Sequence, residues 1–191
     1  MKILYVFAVA LLAFNSVMAG DIYYPKGSIS DFEQKWYGAH LSAMKEPLLI
    51  LRENGGDDFA LRILYLPTFD RPISLRFEKV AGVVGRRAVM LSGKGGYDPG
   101  VIKNESQGIL TKSEFDALVA DIRSSGFWDL SPKNDIDGCD GVQLVIEVIQ
   151  DGKHVVFVRW TPEHNASSRG LVNLIALYKR LFQESGLLKT K

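Results

Sequence analysis

The chain has 191 residues, of which 47% are hydrophobic and 24% are charged. This balance is typical of a globular domain and excludes a disordered chain, a collagen-like repeat and a small disulfide-stapled protein. With 23 Lys and Arg against 22 Asp and Glu, the chain is nearly neutral. It therefore lacks a general electrostatic basis for binding nucleic acid or an anionic membrane.

The first nineteen residues have the order of a secretory signal. Lys2 is followed by an apolar run at 3–14, and Ala19 is the small residue before the expected cleavage. The run is shorter than the ~20 residues that span a bilayer, and the alternative is a buried N-terminal helix. We expect a signal peptide at 1–19, one domain at 20–191 and a location in the periplasm or outside the cell, without a membrane span.

Cys139 is the only cysteine, so no intrachain disulfide can form. An unpaired cysteine of an exported protein is a reactive thiol, an intermolecular bridge or a small buried side chain. Since free cysteine is commonly buried, we expect the last of these.

Two elements are predicted in the first half by short local patterns. Ser30 and Glu33 have capping-box spacing and predict a helix that ends before Pro47. Asn54-Gly55 favours a hairpin turn, and apolar residues alternate with polar ones after position 73. We predict strands at 48–52, 59–66, 73–78 and 83–91, a turn at 53–58 and a loop at 92–110.

The second half carries stronger signals. Thr111 and Glu114 form a second capping-box pattern, and Gly126 can end that helix. Asp151-Gly152 fits a two-residue type I′ turn between strands at 142–150 and 153–160. Apolar residues at helical spacing predict a C-terminal amphipathic helix at 171–182 that closes near residue 186. Consecutive hairpins with about three flanking helices predict a single-domain α+β fold with a mainly antiparallel sheet.

No enzyme motif is complete. The segment Gly93–Asp98 begins like a dinucleotide loop, but Asp98 stands where the third glycine must be. Ser42 and Lys45 match SxxK without the elements that accompany it in β-lactamases. The chain contains no GxxxxGK[ST], GxSxG or HExxH. We therefore predict no catalytic motif and no cofactor.

Three aspartates cluster at Asp135, Asp137 and Asp140. Hard cations are held by several carboxylates of one tight loop, but the EF-hand register fails here because position 5 is Cys139. An Asp/Gly turn is the interpretation we favour, and a non-standard calcium site is the alternative. The three histidines are too scattered to predict a transition-metal site.

The C-terminal hairpin places particular side chains opposite one another. With Asp151-Gly152 as its turn, Glu147 and His154 become diagonal neighbours, which lie ~7–8 Å apart at Cα. Gln143 and Trp160 oppose each other on the same face. The carboxylate could prepare the imidazole for proton transfer beside an aromatic platform. An ion pair on a solvated face, worth under ~1 kcal/mol, is the interpretation we favour.

Arg159 falls on the opposite, apolar face of the hairpin, near its end. We expect its stem to cap the core edge or its guanidinium to pair with a carboxylate.

A set of short motifs in the second half carries a family resemblance. They are Gly95-Gly96-Tyr97-Asp98-Pro99-Gly100, Phe127-Trp128, Asp140-Gly141, Glu147, Asp151-Gly152, His154 and Arg159-Trp160-Thr161-Pro162. Their order resembles a group of small exported bacterial proteins of uncharacterised function and covers about Gly95 to Pro162. The resemblance implies a bacterial, periplasmic setting and brings no activity or catalytic residues.

Two classes of function remain. The first is a non-catalytic binding protein of the cell envelope, such as an inhibitor, an immunity-type protein or an assembly factor, with a protein partner. Exposed aromatics with a few charges are typical interface anchors, although burial is the commoner place for such rings. Its candidate binding residues are Tyr97, Asp98, Asp140, Glu147, His154, Arg159 and Trp160, with Trp128 beside them.

The second class is a small hydrolase or metal-assisted enzyme. It would use Glu147 and His154 together with a carboxylate of Asp98 or Asp140. These groups would have to converge within ~3 Å of one reacting atom.

Overall fold

Six strands form one antiparallel sheet, and helices cover both of its faces. The computed structural model describes residues 22–52, 58–133, 136 and 138–187. The predicted signal peptide and most of the predicted turn at 53–58 lie outside these residues. The strands are β1 (Phe59–Pro67), β2 (Ile73–Val80), β3 (Val83–Leu91), β4 (Ile102–Leu110), β5 (Val142–Gln150) and β6 (Lys153–Trp160). Their order across the sheet is β4-β3-β2-β1-β5-β6.

Three α-helices complete the fold: α1 (Asp31–Ala43), α2 (Lys112–Ser124) and α3 (Val172–Glu184). Both predicted capping boxes are present, at Ser30 and at Thr111, so each hydroxyl and its glutamate satisfy backbone donors at a helix start. Gly126 and Gly186 follow α2 and α3 with φ of 75°. The α+β single-domain prediction is confirmed. Within the described ranges, no helix has the length and apolar character needed to cross a membrane.

The two faces of the sheet have different cover. Helices α2 and α3 pack on one face, which we call the α2–α3 face, and bury the larger hydrophobic core there. The segment at 23–24 and helix α1 pack on the other, which we call the α1 face, around Tyr23, Tyr37 and Leu41. A strand presents alternate side chains to the two faces, so neighbouring residues in β1 and β5 enter different cores.

The prediction of a strand at 48–52 is wrong. Leu49–Leu51 forms a 3-10 helix instead, and Leu49 packs on Ala60 and Ile149. Strand β1 was the expected partner, but both of its edges are taken by β2 and β5. The segment Leu49–Leu51 therefore packs on a face of the sheet and does not add a strand to it.

The prediction of a loop through 92–110 is wrong for its second part. Residues 102–110 form β4, an edge strand paired with β3. Most side chains of β4 are polar and accessible on both faces, so its sequence lacks the alternation that reveals a half-buried strand.

The C-terminal hairpin matches its prediction closely. Asp151 and Gly152 have φ of 51° and 72°, as a type I′ turn requires. Gln143 faces Trp160 and Glu147 faces Val156, which is the predicted register.

Candidate functional site

The sheet carries a row of charged side chains on its α1 face. Arg62, Arg76 and Arg87 face one another across β1, β2 and β3, and Glu147 of β5 faces Arg62 from the other side. Three adjacent arginines repel one another unless carboxylates lie between them. The row therefore depends on acidic partners: Glu78 of β2 pairs with Arg76, and the others come from outside the three strands.

Glu147 supplies the negative charge at one end of the row. Its Oε2 accepts a hydrogen bond from Arg62, and its Oε1 lies 2.7 Å from His154 Nε2. Arg62 and Glu147 are each 1% exposed, and His154 is 12% exposed. The predicted Glu147–His154 contact is thus present, but the face is buried and not solvated. Because the sequence pattern does not show what covers a face, this burial was not foreseen.

The rings beside this pair come from the N-terminal segment, not from Trp160. The Arg62 guanidinium lies 5.6 Å from the Tyr23 ring centroid and 5.5 Å from that of Tyr24. Burial lowers the pKa of Arg62, but Glu147, Tyr24 and Glu46 outweigh this effect and raise it. Arg62 thus stays charged in an apolar setting, where an unpaired charge is strongly unfavourable.

Glu46 holds the other end of the row. Its side chain is fully buried, Oε2 accepts from Arg76 Nε at 2.8 Å, and Oε1 accepts from Arg87 Nη1 at 2.8 Å. Arg87 and Arg62 also donate to the carbonyls of Met44 and Pro47. These bonds fasten the segment that follows α1 to the sheet. The network is therefore best explained as the attachment of α1.

Three loops meet at one end of the sheet, and two of them carry motifs of the resemblance pattern. We call this end the loop end: residues 68–72 between β1 and β2, 92–101 between β3 and β4, and 138–141 before β5. Thr68 joins all three loops, since its backbone N–H donates to Gly141 O at 2.8 Å and its carbonyl accepts from Gly96 N at 3.2 Å. Its hydroxyl oxygen also accepts from Gly141 N at 3.0 Å. Sequence reasoning missed Thr68, because nothing local marks it.

Close approach of neighbouring atoms explains Gly95 and Gly141 of the loop end. A Cβ on Gly95 would lie 2.6 Å from the Leu66 carbonyl carbon, and one on Gly141 would lie 2.2 Å from Thr161 Oγ1. The Gly95 carbonyl accepts from Trp36 Nε1 at 2.7 Å, which ties the loop to α1. These glycines therefore serve the assembly of the loops.

Two aromatic side chains lie exposed at the loop end. Phe69 and Tyr97 are 59% and 62% exposed, and their rings stack with centroids 6.2 Å apart at 30°. Tyr97 was a predicted binding residue, whereas Phe69 was missed. An aromatic side chain in a turn between two strands was the available signal, because turns normally carry polar residues.

The remaining predicted residues have different surroundings. Asp98 and Asp140 are exposed at the loop end, and Asp98 Oδ1 accepts from Gly100 N at 2.7 Å. Cys139 is exposed as well, so the expectation of a buried thiol is wrong.

Two of the predicted interface residues, Trp160 and Arg159, are buried, and Trp128 is partly buried. Trp160 is 8% exposed. Its indole packs against Gly138, where an added Cβ would lie 2.2 Å from Nε1. Trp128 is half-buried against the main core. Arg159 stacks on Phe157 at 3.9 Å and donates to the carbonyl of Ser131 at 2.7 Å. Its bonds to the carbonyls of Ser131 and Lys133 hold the preceding loop against β6.

The predicted residues therefore form two groups. Tyr97, Asp98 and Asp140 share the loop end, while Glu147 pairs with Arg62 and contacts His154 further along the sheet. Glu147 is four residues from Gln143 at the loop end of β5, which corresponds to ~13 Å of strand. The convergence that an enzyme needs is absent among these side chains.

Across the part of the chain that the structure describes, no group of three or more His, Cys, Asp or Glu side chains is arranged to hold a metal ion. Asp135 and Asp137 of the candidate calcium loop lie outside that part.

Comparison with known proteins adds no family to this picture, since no family model matches the chain and no curated protein matches it significantly.

Proposed function

We propose that this chain is an exported protein of the bacterial cell envelope that binds another protein through its loop end. The observation that carries the proposal is the stacked, exposed pair of Phe69 and Tyr97. Aromatic side chains that stand out among charged neighbours are typical anchors of protein interfaces. Large rings are otherwise mostly buried, so this exposure calls for a partner.

The hydrogen bonds that join the loops of the loop end support the same proposal. Thr68 links its three loops, and Trp36 of α1 binds the Gly95 carbonyl. Phe32, which is 72% exposed, packs beside Trp36 with ring centroids 5.8 Å apart. A preorganised surface binds without the entropic loss of ordering mobile loops.

Charges of both signs surround the aromatic pair. Lys94 and Arg71 are exposed at the loop end together with Asp70, Asp98 and Asp140. A mixed rim of this kind suits a protein surface with complementary polar groups. A phosphate backbone would call for a concentration of positive charge instead.

Pull-down from an envelope extract tests the proposal, with residues 20–191 as bait and cross-linking included. We expect one stoichiometric protein partner that rebinds after purification. The Phe69→Ala/Tyr97→Ala variant should fold normally and lose this partner. The Leu51→Ala/Ile109→Ala variant is the matched control, since these side chains are 67% and 75% exposed elsewhere. Equal retention of the partner by both variants would refute the loop end as the binding surface.

The location is tested separately. We expect the mature chain in the periplasm or medium to begin at Gly20, which mass spectrometry of the purified protein measures directly. A chain that keeps its first nineteen residues would contradict export by this signal.

The enzymatic alternative has one observation in its favour, the contact between Glu147 and His154. Against it, Glu147 also binds Arg62, and the carboxylates of Asp98 and Asp140 do not join the pair. Retention of any hydrolytic activity by a His154→Gln variant would exclude this alternative.

A further inference from the structure

A groove of about 480 Å³ opens on the α2–α3 face, between α3 and the loop-end parts of β1, β2 and β3. Sites for small ligands commonly measure ~300–1,000 Å³. The apolar part of its lining includes Ile73 and Met90, which are 5% and 7% exposed. This groove is separate from the buried charges on the α1 face.

Three aromatic rings form one wall of the groove. Tyr65 lies 6.2 Å from Tyr178 and 5.7 Å from Phe182, measured between ring centroids, and Tyr178 lies 6.0 Å from Phe182. Two of these contacts are edge-to-face, the arrangement that aromatic rings prefer over direct face-to-face stacking. A further ring entering the groove can extend this cluster, and Met90 can adapt to it.

The polar groups of the groove differ in their partners. Tyr178 donates to Glu163, and Lys179 Nζ lies 3.2 Å from the same carboxylate. The Tyr65 hydroxyl and the Arg71 guanidinium, in contrast, have no hydrogen-bond or ion-pair partner within the described ranges. They are therefore a donor and a cation available to a ligand.

We propose that this groove binds a ligand in which an aromatic ring stands next to a carboxylate. The ring packs against Tyr65, Tyr178 and Phe182, and the carboxylate binds Arg71 and the Tyr65 hydroxyl. Arginine suits this role because its planar guanidinium binds a carboxylate through two parallel hydrogen bonds.

The protonation state of Tyr65 fits this role. Burial raises the pKa of Tyr65, and Glu163 and Asp70 raise it further. The hydroxyl therefore remains a donor throughout the neutral range.

Two sources can supply this chemistry: a free aromatic acid, or the C-terminus of a peptide that ends in an aromatic residue. Titration followed by amide chemical shifts tests both, with N-acetylphenylalanine and its uncharged amide as the first probes. We expect saturable binding of the acid and at least about tenfold weaker binding of the amide. Phenylacetate and a tetrapeptide ending in phenylalanine then distinguish the sources, since the better binder identifies the one that fits.

Substitutions connect the binding to the groove. Arg71→Gln should weaken binding of N-acetylphenylalanine by about tenfold, and Tyr65→Phe by a smaller factor. Arg123→Gln is the matched control, because it removes an exposed positive charge from the last turn of α2 and should leave the affinity unchanged.

Two results would overturn the proposal. One is the absence of saturable binding by any probe up to about 10 mM, a concentration at which even a weak specific site is filled. The other is equal affinity of the Arg71→Gln and Arg123→Gln variants. The Phe69→Ala/Tyr97→Ala variant should keep the ligand, because neither ring lines the groove, so this proposal and the loop-end proposal fail separately.

Discussion

Arg62 of β1 and Glu147 of β5 face each other across the sheet and form an ion pair in which each side chain is 1% exposed. Removing one partner leaves the other as an uncompensated buried charge, which typically lowers stability by ~3–5 kcal/mol. Replacing both by apolar residues is often nearly neutral. This asymmetry makes the pair a direct test of the buried charged row.

We expect Arg62→Met to lower the free energy of unfolding by about 3–5 kcal/mol, measured by denaturant titration. The double variant Arg62→Met/Glu147→Leu should be more stable than the single variant, because no buried charge is left unpaired. If the two substitutions were simply additive, the pair would not be energetically coupled.

Glu46 provides a second test of the same row. Glu46→Gln removes the charge that lies between Arg76 and Arg87, and we expect a loss of several kcal/mol in unfolding free energy. Glu184→Gln is the control, since Glu184 is more than half exposed and its ion pair with Arg180 spans 3.9 Å. A change within about 0.5 kcal/mol is expected there. Similar values for both variants would mean that the network does not fasten α1.

The pH dependence of stability should report on His40. Burial lowers the pKa of His40 below 6.5, although the carbonyls of Trp36 and Lys94 and the charge of Asp98 act in the opposite direction. The unfolded chain therefore binds this proton more tightly than the folded chain. The contribution of neutral His40 to stability is therefore full above pH 6.5 and is lost as the pH falls below this value.

His40→Gln should flatten this dependence, and His164→Gln, at an exposed position, should not. Melting temperatures between about pH 7.5 and about pH 5.5 make the comparison, over the range where histidine titrates. Identical pH profiles for the wild type and the His40→Gln variant would contradict the assignment.

Gly95 tests the assembly of the loop end. Gly95→Ala places a Cβ 2.6 Å from backbone atoms of Leu66 and Pro67, so the loop that carries Tyr97 must shift. We expect a loss of about 1–3 kcal/mol, as for other overpacked positions, and changed amide chemical shifts around Thr68. In Gly85→Ala the new Cβ would meet its nearest neighbour at 4.0 Å. This variant should leave the stability and the amide chemical shifts around Thr68 nearly unchanged. If Gly95→Ala left the stability and the chemical shifts unchanged, the assembly of the loops would not depend on the close contact between Gly95 and the backbone of Leu66 and Pro67.

The local features of the fold were predictable because the interacting groups are close along the chain. A capping hydroxyl and its glutamate are three residues apart at Ser30 and at Thr111. Asp151 and Gly152 determine the turn between β5 and β6, and the turn then sets which residues oppose one another. The Glu147–His154 contact follows from this register alone.

The candidate sites were less predictable, because they join residues that are distant in sequence. Arg62 interrupts an apolar strand, a signal that something unusual lies there, but its pairing with Glu147 depends on which strand lies beside β1. The groove depends on α3 crossing the α2–α3 face next to Tyr65 and Met90. Trp160 was expected at a surface, and neighbouring glycines cover it instead.

By itself, the sequence determined the α+β class, the three helices and the C-terminal hairpin, since short-range hydrogen bonds and apolar periodicity specify them. Only the tertiary structure decided the strand order and the cover of each face. It thereby placed Glu147 in the interior and Phe69 beside Tyr97 at the surface. The physical reason is that the alternation of a strand can be seen in its own sequence. The residue that buries one of its faces or pairs with one of its charges comes from elsewhere in the chain.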